Sequence, residues 1–331
     1  MLHVVGIDEA GYGPNLGPLV ITATHFIVTS TDTAESWQSR FRQSWYSGPS
    51  GGRPRVPIDD SKRVYSSSSG IGSLESLVLA VVNLAAGRSG WGASAGRAAS
   101  VAEPGDFQTL CRMLGATSRL PPWHVSDGVK LPLSADRDEI LALRSHWCQT
   151  ETSSQVQLQS LRSTVLFPRE YNTELKRWDN KASLLSSHSL ALVRSVSEHL
   201  PRDACVRVWC DKHGGRQRYA PFLFGAFGGA LVDVVEETPA LSHYRMLWKD
   251  RRIEIRFLKG GESQLPVALA SMVSKYVREV SMAAFNHYWE KQVPGIRPTA
   301  GYPVDARRFR EETADARRRL AMPDDLFWRE R

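Results

Sequence analysis

Two adjacent acids, Asp8 and Glu9, close a short apolar run, His3–Asp8, and lead into a loop of turn formers carrying Gly11, Gly13, Pro14 and Asn15. Far along the chain, Cys205–Asp211 repeats the design, a strand-like run that ends in a carboxylate. A third run, Ile253–Leu258, alternates Ile253, Ile255 and Phe257 with Arg252, Glu254 and Arg256, and is followed by Gly260, Gly261 and Glu262. Taken singly, an acid at a strand end is ordinarily a turn or cap residue. Carboxylates brought to one crevice behave differently, because each raises the pKa of the others unless a cation neutralises them. Hard divalent ions with oxygen ligands do this, and Mg²⁺ or Mn²⁺ are the natural choices. Two such ions about 3.5–4 Å apart can activate water and stabilise the leaving oxygen of a phosphodiester. The chemistry therefore requires that the three runs be neighbours in one sheet, with their ends converging.

The rest of the chain limits what else it can be. Its 331 residues, 42% of them hydrophobic, suffice for one large α/β domain with an insertion or for two modest domains. A net charge of +7 favours polyanionic partners, since Lys and Arg that neutralise phosphates release counterions. Apolar stretches such as Pro18–Val28 are too short and too polar to span a membrane. No signal peptide is read at the N-terminus, and a cytoplasmic monomer is expected. Cys111, Cys148, Cys205 and Cys210 form no CxxC pair, which argues against a structural zinc and against a disulfide framework.

Several elements must hold the acids. Gly17–Ser30 reads as a strand that pairs with the first in a hairpin. Glu35–Trp45 and residues 73–86 read as helices, whereas Gly87–Pro104, rich in Gly, Ala and Ser, reads as flexible. Ser134–Cys148 is expected as a helix and Val156–Phe167 as a strand. Apolar residues from Leu175 to Leu200 recur at helical spacing over Asn172–Leu200, with a break. Leu231–Val235 reads as a strand, and a helix starting at Pro266 runs to about His287.

Read together, the motifs carry a resemblance. Gly6-Ile7-Asp8-Glu9-Ala10-Gly11-Tyr12-Gly13-Pro14, followed by Gly17-Pro18-Leu19-Val20, resembles the opening of the type 2 ribonuclease H family, ribonuclease HII and its relative HIII. Asp60-Ser61-Lys62, Val208–Asp211, Gly260-Gly261-Glu262-Ser263 with the helix through Lys275, and Gly301-Tyr302-Pro303 resemble its later motifs, in the same order. The resemblance covers about 1–85 and 165–310. It implies an α/β ribonuclease H-like fold, a central mixed sheet flanked by helices. Residues 1–85 and 166–331 would form its two parts, the second with a C-terminal helical extension, and 86–165 a large, partly flexible insertion.

The resemblance also implies the activity: a metal-dependent endonuclease, using Mg²⁺ or Mn²⁺, that hydrolyses the RNA strand of RNA–DNA hybrids and leaves a 5′-phosphate and a 3′-hydroxyl. Asp8, Glu9, Asp211 and Glu262 would be the catalytic, metal-binding acids. Gly11, Tyr12, Gly13, Ser61, Lys62 and Tyr302 would meet the substrate. Three positions depart from the HII pattern. Glu262 stands where HII has Asp and HIII has Glu, Tyr12 replaces the basic residue between the two glycines, and Glu279 replaces an Asp. Two alternatives stay open: a paralogue that binds hybrids without cutting, and a nuclease of the same fold with another nucleic-acid substrate. Lys212, Arg216 and Arg218 are candidate phosphate contacts, and His213 a candidate for proton transfer. The C-terminal arginines Arg307, Arg308, Arg310, Arg317, Arg318 and Arg319, interspersed with acids, read as a charged helix face.

Overall fold

The structure, a computed structural model, describes residues 1–29, 36–47, 56–58, 70–89, 103–125 and 128–330. Strand β1 (Leu2–Ala10) is buried on both faces, as its unbroken apolar character requires of a central strand. It pairs antiparallel with β2 (Leu19–Val28), so the expected hairpin is present. Helices α1 (Ser36–Ser47), α2 (Gly72–Ser89), α3 (Phe107–Met113), α4 (Pro122–Val125) and α5 (Arg137–Ser154) follow. Strand β3 (Val156–Leu166) then pairs antiparallel with β2. The stretch expected as an insertion thus supplies α3, α4, α5 and β3, and β3 belongs to the sheet.

Helices α6 (Pro168–Trp178) and α7 (Lys181–Glu198) account for the long helical pattern, interrupted at Asp179, which adopts a left-handed φ of 60°. Next come β4 (Cys205–Asp211), α8 (Ala220–Ala226), β5 (Val232–Glu237), β6 (Leu241–Trp248) and β7 (Arg251–Leu258). The chain ends with α9 (Leu265–Gln292), α10 (Pro303–Glu312), α11 (Ala314–Arg319) and α12 (Asp324–Phe327). The seven strands lie in the order β3-β2-β1-β4-β7-β6-β5, and β1, β4 and β7 are parallel neighbours. This is a mixed sheet flanked by helices, as expected.

One face of the sheet is covered by α1, α2, α5 and α9, around a core that includes Phe26, Phe41, Trp147 and Trp209. The other is covered by α6, α7 and α8 over Val5, Ile7, Val206, Val208, Ile253 and Ile255. Helix α9 lies against β1 and β2, which Gly6 permits. A Cβ there would stand 2.2 Å from the backbone carbon of Pro266. Thr24 Oγ1 donates to the Pro266 carbonyl at 2.9 Å and fixes the same crossing. No described helix is long and apolar enough to cross a membrane, and all four cysteines are free.

Candidate active site

Parallel pairing puts the carboxyl ends of β1, β4 and β7 on one edge of the sheet. The register sets Ile7 opposite Cys210, so Asp8 and Asp211 are the next residues of neighbouring strands. Glu262 follows β7 in a single 3₁₀ turn, Gly261–Ser263, tucked against the end of β4. Glycine eases this approach, because a Cβ on Gly261 would lie 3.0 Å from the Cα of Asp211 and the neighbouring backbone would have to give by a few tenths of an ångström. The close approach lets the Gly261 N–H donate to Asp211 Oδ1 at 2.9 Å.

Ser271, in the first part of α9 and buried, ties two acids together. Its hydroxyl donates to Glu262 Oε1 at 3.0 Å and also hydrogen-bonds to Asp8. Ser274, one helical turn on, donates to the Asp8 carbonyl at 3.1 Å. The four acids act on one another. Burial pushes the Asp8 carboxyl well above the usual carboxylate range, and Glu9, Glu262 and Asp211 add to it against the Ser271 hydrogen bond. Burial, then Asp211 and Glu262, raise Glu9 to about 7.

This donor set is what a hard divalent cation takes: carboxylate oxygens, those of Asp8 and Glu9 made costly to charge by burial and neighbouring acids. Among the described residues, however, no three His, Cys, Asp or Glu side chains stand ready as a metal cage. The acids fit a cation in the chemistry of their donors.

The glycine loop is held from three sides. Gly11 has φ +88°, and a Cβ would meet the Pro18 carbonyl at 2.4 Å and the Arg278 side chain at 2.9 Å. Arg278, buried in α9, donates to the Ala300 carbonyl at 2.8 Å and has its guanidinium 6.0 Å from the centre of the Tyr302 ring. Asn15 N–H donates to the Gly301 carbonyl at 2.8 Å. Tyr302, more than half exposed, is thereby placed beside the loop. From the far end of the chain, Arg329 donates to the Gly11 carbonyl at 2.6 Å and stacks over Tyr171 at 3.9 Å. Arg329 is fully buried, and that burial lowers its pKa to about 10. Tyr12 turns its hydroxyl toward Gly214, in the loop after Asp211.

Asp8, Glu9, Asp211 and Glu262 are therefore brought together, Tyr12 is within reach of Glu9, Gly11 and Gly13 follow in the same loop, and Tyr302 stands near Arg278, which packs on Gly11. Ser61 and Lys62 lie outside the described residues. Three expectations for the loop after Asp211 are corrected. His213 is buried, with Nδ1 3.0 Å from Ser186 Oγ and its ring packed on Tyr219 and Phe257. Burial, followed by Arg216, lowers it to about 3, so it is a core imidazole and no proton carrier. Lys212 Nζ donates to the Thr238 carbonyl at 2.7 Å and to Ser242 Oγ at 3.0 Å, which occupies it within the fold. Arg216 donates to Ser183 Oγ at 2.9 Å and covers the Phe222 ring at 4.2 Å. Arg218 alone of the three cations is largely exposed, with Glu237 3.8 Å away. The C-terminal arginines behave as a charged face, Arg308 pairing with Asp305 and Arg310 with Asp324. Sequence reasoning missed Ser271, Ser274, Arg278 and Arg329 as supports of the site.

Solved structures similar to this chain include the ribonuclease H2 from Pyrococcus horikoshii OT3, at 14% identity over 98% of this chain and 92% of that one, with a TM-score of 0.45. Another is the PCNA:RNase HII complex from Archaeoglobus fulgidus, at 14% identity over 100% and 95%, with a TM-score of 0.45. A third is Bst-RNase HIII in complex with Mn²⁺, at 16% identity over 99% and 66%, with a TM-score of 0.41. No protein-family model matches the chain, and no curated protein does.

Proposed function

We propose that this protein is a metal-dependent endonuclease of the type 2 ribonuclease H kind, which hydrolyses the RNA strand of RNA–DNA hybrids. The observation that carries the reading is the cluster itself: four carboxylates on one sheet edge, where burial and the neighbouring acids raise Asp8 and Glu9. A stable fold gains nothing from such a cluster, and a site for cations does. Asp8, Glu9, Asp211 and Glu262 would hold two Mg²⁺ or Mn²⁺ ions, which when bound supply an activated water and charge stabilisation at the departing 3′-oxygen.

The chain's own residues do the positioning. Ser271 orients Asp8 and Glu262 by one hydroxyl, and the Gly261 N–H fixes Asp211. The backbone of Gly11, Tyr12 and Gly13 offers close approach to the sugar, because glycine leaves no side chain in the way. The 2′-hydroxyl is the group by which a protein tells RNA from DNA at a given site, so this loop is the proposed discriminator, with Tyr302 against the same sugar. Tyr12 carries no positive charge, so backbone contacts must supply the discrimination.

The test is cleavage of three labelled duplexes: an RNA–DNA hybrid, a DNA duplex with one ribonucleotide, and plain DNA, each with Mg²⁺, Mn²⁺ or chelator. Metal-dependent cutting of the hybrid, leaving 3′-hydroxyl ends, is expected. A hybrid that is bound but never cut would establish the non-cutting paralogue instead. Equal cutting of plain DNA would move the substrate to another nucleic acid.

A further inference from the structure

A groove of about 540 Å³ runs between α6 and α7 on one side and α8 on the other, and the proposed cleavage does not use it. Trp178 from α6 and Phe222 from α8 line it, both half-buried. Two arginines stand at its walls. Arg177 is largely exposed, 5.3 Å from the centre of the Trp178 ring. Arg194 is exposed on α7 and reaches the Ala226 carbonyl on α8 at 3.3 Å. No acid is among the described residues that line the groove. The nearby Glu174 is engaged by Trp178 Nε1 at 3.1 Å and by His188 at 3.2 Å, and it lies 3.9 Å from the Arg177 guanidinium, a loose pair on an exposed side chain.

Half-buried aromatic rings, each with an arginine against it, suit a ligand that is both polyanionic and flat-faced. An unpaired nucleic-acid strand has both properties. In a duplex the base faces are already covered by one another.

The groove is also joined to the acid cluster by a short chain of contacts. Tyr12 lies within electrostatic reach of both Glu9 and Arg216. A Cβ on Gly214 would stand 2.8 Å from the Tyr12 hydroxyl and 3.4 Å from Ala182, at the start of α7. Arg216 binds Ser183 in the same turn of α7 and covers Phe222, which lines the groove. A strand leaving the acids past Tyr12 thus meets this corner of the molecule.

We propose that the groove binds an unpaired stretch of nucleic acid continuing from a hybrid held at the acid cluster, with bases against Trp178 and Phe222 and phosphates on Arg177 and Arg194. The inference rests on the nuclease reading of that cluster and deepens it: the favoured substrate is a hybrid with a single-stranded overhang. Fluorescence anisotropy in chelator measures it directly, comparing a blunt hybrid with the same hybrid carrying an overhang of about eight nucleotides. The overhang is expected to tighten binding about tenfold. An abasic sugar–phosphate overhang of equal length is expected to give much less. Trp178→Ala with Phe222→Ala should bring the overhang hybrid down to the affinity of the blunt one. So should Arg177→Glu with Arg194→Glu, which changes only exposed side chains. No gain from the overhang, equal gain from the abasic one, or gain that survives in both double variants overturns the proposal. Cleavage of the blunt hybrid is scored separately. An uncut hybrid with the overhang gain intact sinks the nuclease reading and leaves the groove standing, whereas a cut hybrid without the gain sinks the groove alone.

Discussion

Buried acids occur in two settings in this molecule, and they are built in opposite ways. In the helical layer, Glu75 of α2 is fully buried and accepts from Leu133 N, Ser134 N, Ala135 N and the Tyr276 hydroxyl, all within 2.7–2.8 Å. Glu151 of α5 is similarly engaged by Arg88, the Trp147 indole and Leu158 N. At the strand ends, Asp8 and Glu9 face other acids, and burial and mutual charge raise both. A buried charge is tolerated when its hydrogen bonds are made and is costly when they are not. The first setting holds helices and loops together. The second adds no such tie and makes Asp8 and Glu9 harder to charge.

The largest effect should come from testing the second setting by charge removal. Asp8→Asn and Asp211→Asn each keep shape and are expected to lower hybrid cleavage by roughly 10³-fold or more, since several kcal/mol of transition-state stabilisation are at stake. In chelator, Asp8→Asn should melt higher than wild type, because an unfavourable buried charge has gone. Loss of activity together with lower stability would make Asp8 an ordinary structural acid and erase the comparison.

Glu75 tests the first setting. In Glu75→Gln one acceptor oxygen becomes a donor and faces N–H and O–H groups that need acceptors. A loss of about 3 kcal/mol in urea unfolding is expected, at 1–3 kcal/mol for each group left unpaired. Turnover of the molecules that remain folded should not change, because the partners of Glu75 are Tyr276 and the backbone of Leu133–Ala135, none of them one of the four acids. A stable Glu75→Gln with altered turnover would show that the two settings are not separate.

Much of this contrast was legible beforehand, and its limits have physical causes. Asp8, Asp211 and Glu262 stood out because each ends an apolar run or follows one across glycines, a local signal. The break near Asp179 was likewise local, since Asp179 and Asn180 favour turns and caps over helix interiors. Strand β6 escaped notice because its inward positions include Ser242 and His243 while Leu247 points out. His213 looked catalytic by its distance from Asp211 along the chain, but its ring turns into α7 instead. Arg329 was illegible for a different reason. It is one arginine among many in the C-terminal stretch, and only the return of the chain to Gly11 and Tyr171 buries it.

The pH dependence of stability separates the two kinds of buried group further. His25, His124 and His213 are each lowered to about 3, chiefly by burial, so in the folded state they stay neutral. The unfolded chain takes up protons first, near pH 6.5. Their contribution is thus complete above about 6.5 and is lost as pH falls toward 3, on the order of 1 kcal/mol per pH unit for each. Glu9 has the opposite sign. Raised from 4.5 to about 7, it favours the folded state as pH falls from 7 toward 4.5. In metal-free protein the two trends oppose each other between about pH 4.5 and 6.5. Glu9→Gln removes one of them, so its stability should fall more steeply than wild type between pH 6.5 and 5 in urea titrations. Parallel curves would mean that Glu9 is not raised.

The smallest effect should come from acids in a third setting, on the surface. Asp324 pairs with Arg310 and with Arg317, and its own side chain is 56% exposed. Exposed pairs are worth about 0–1 kcal/mol, because water already solvates both partners and ordering them costs side-chain freedom. Asp324→Asn is therefore expected to shift the melting temperature by about 2 °C or less. Any shift should shrink in 1 M salt, where surface charges are screened. A loss near that of Glu75→Gln would show that α12 and the tail beyond it are pinned through Asp324. Arg329 follows in that tail and holds the Gly11 carbonyl, so such a result would tie a surface ion pair to the glycine loop beside the acids.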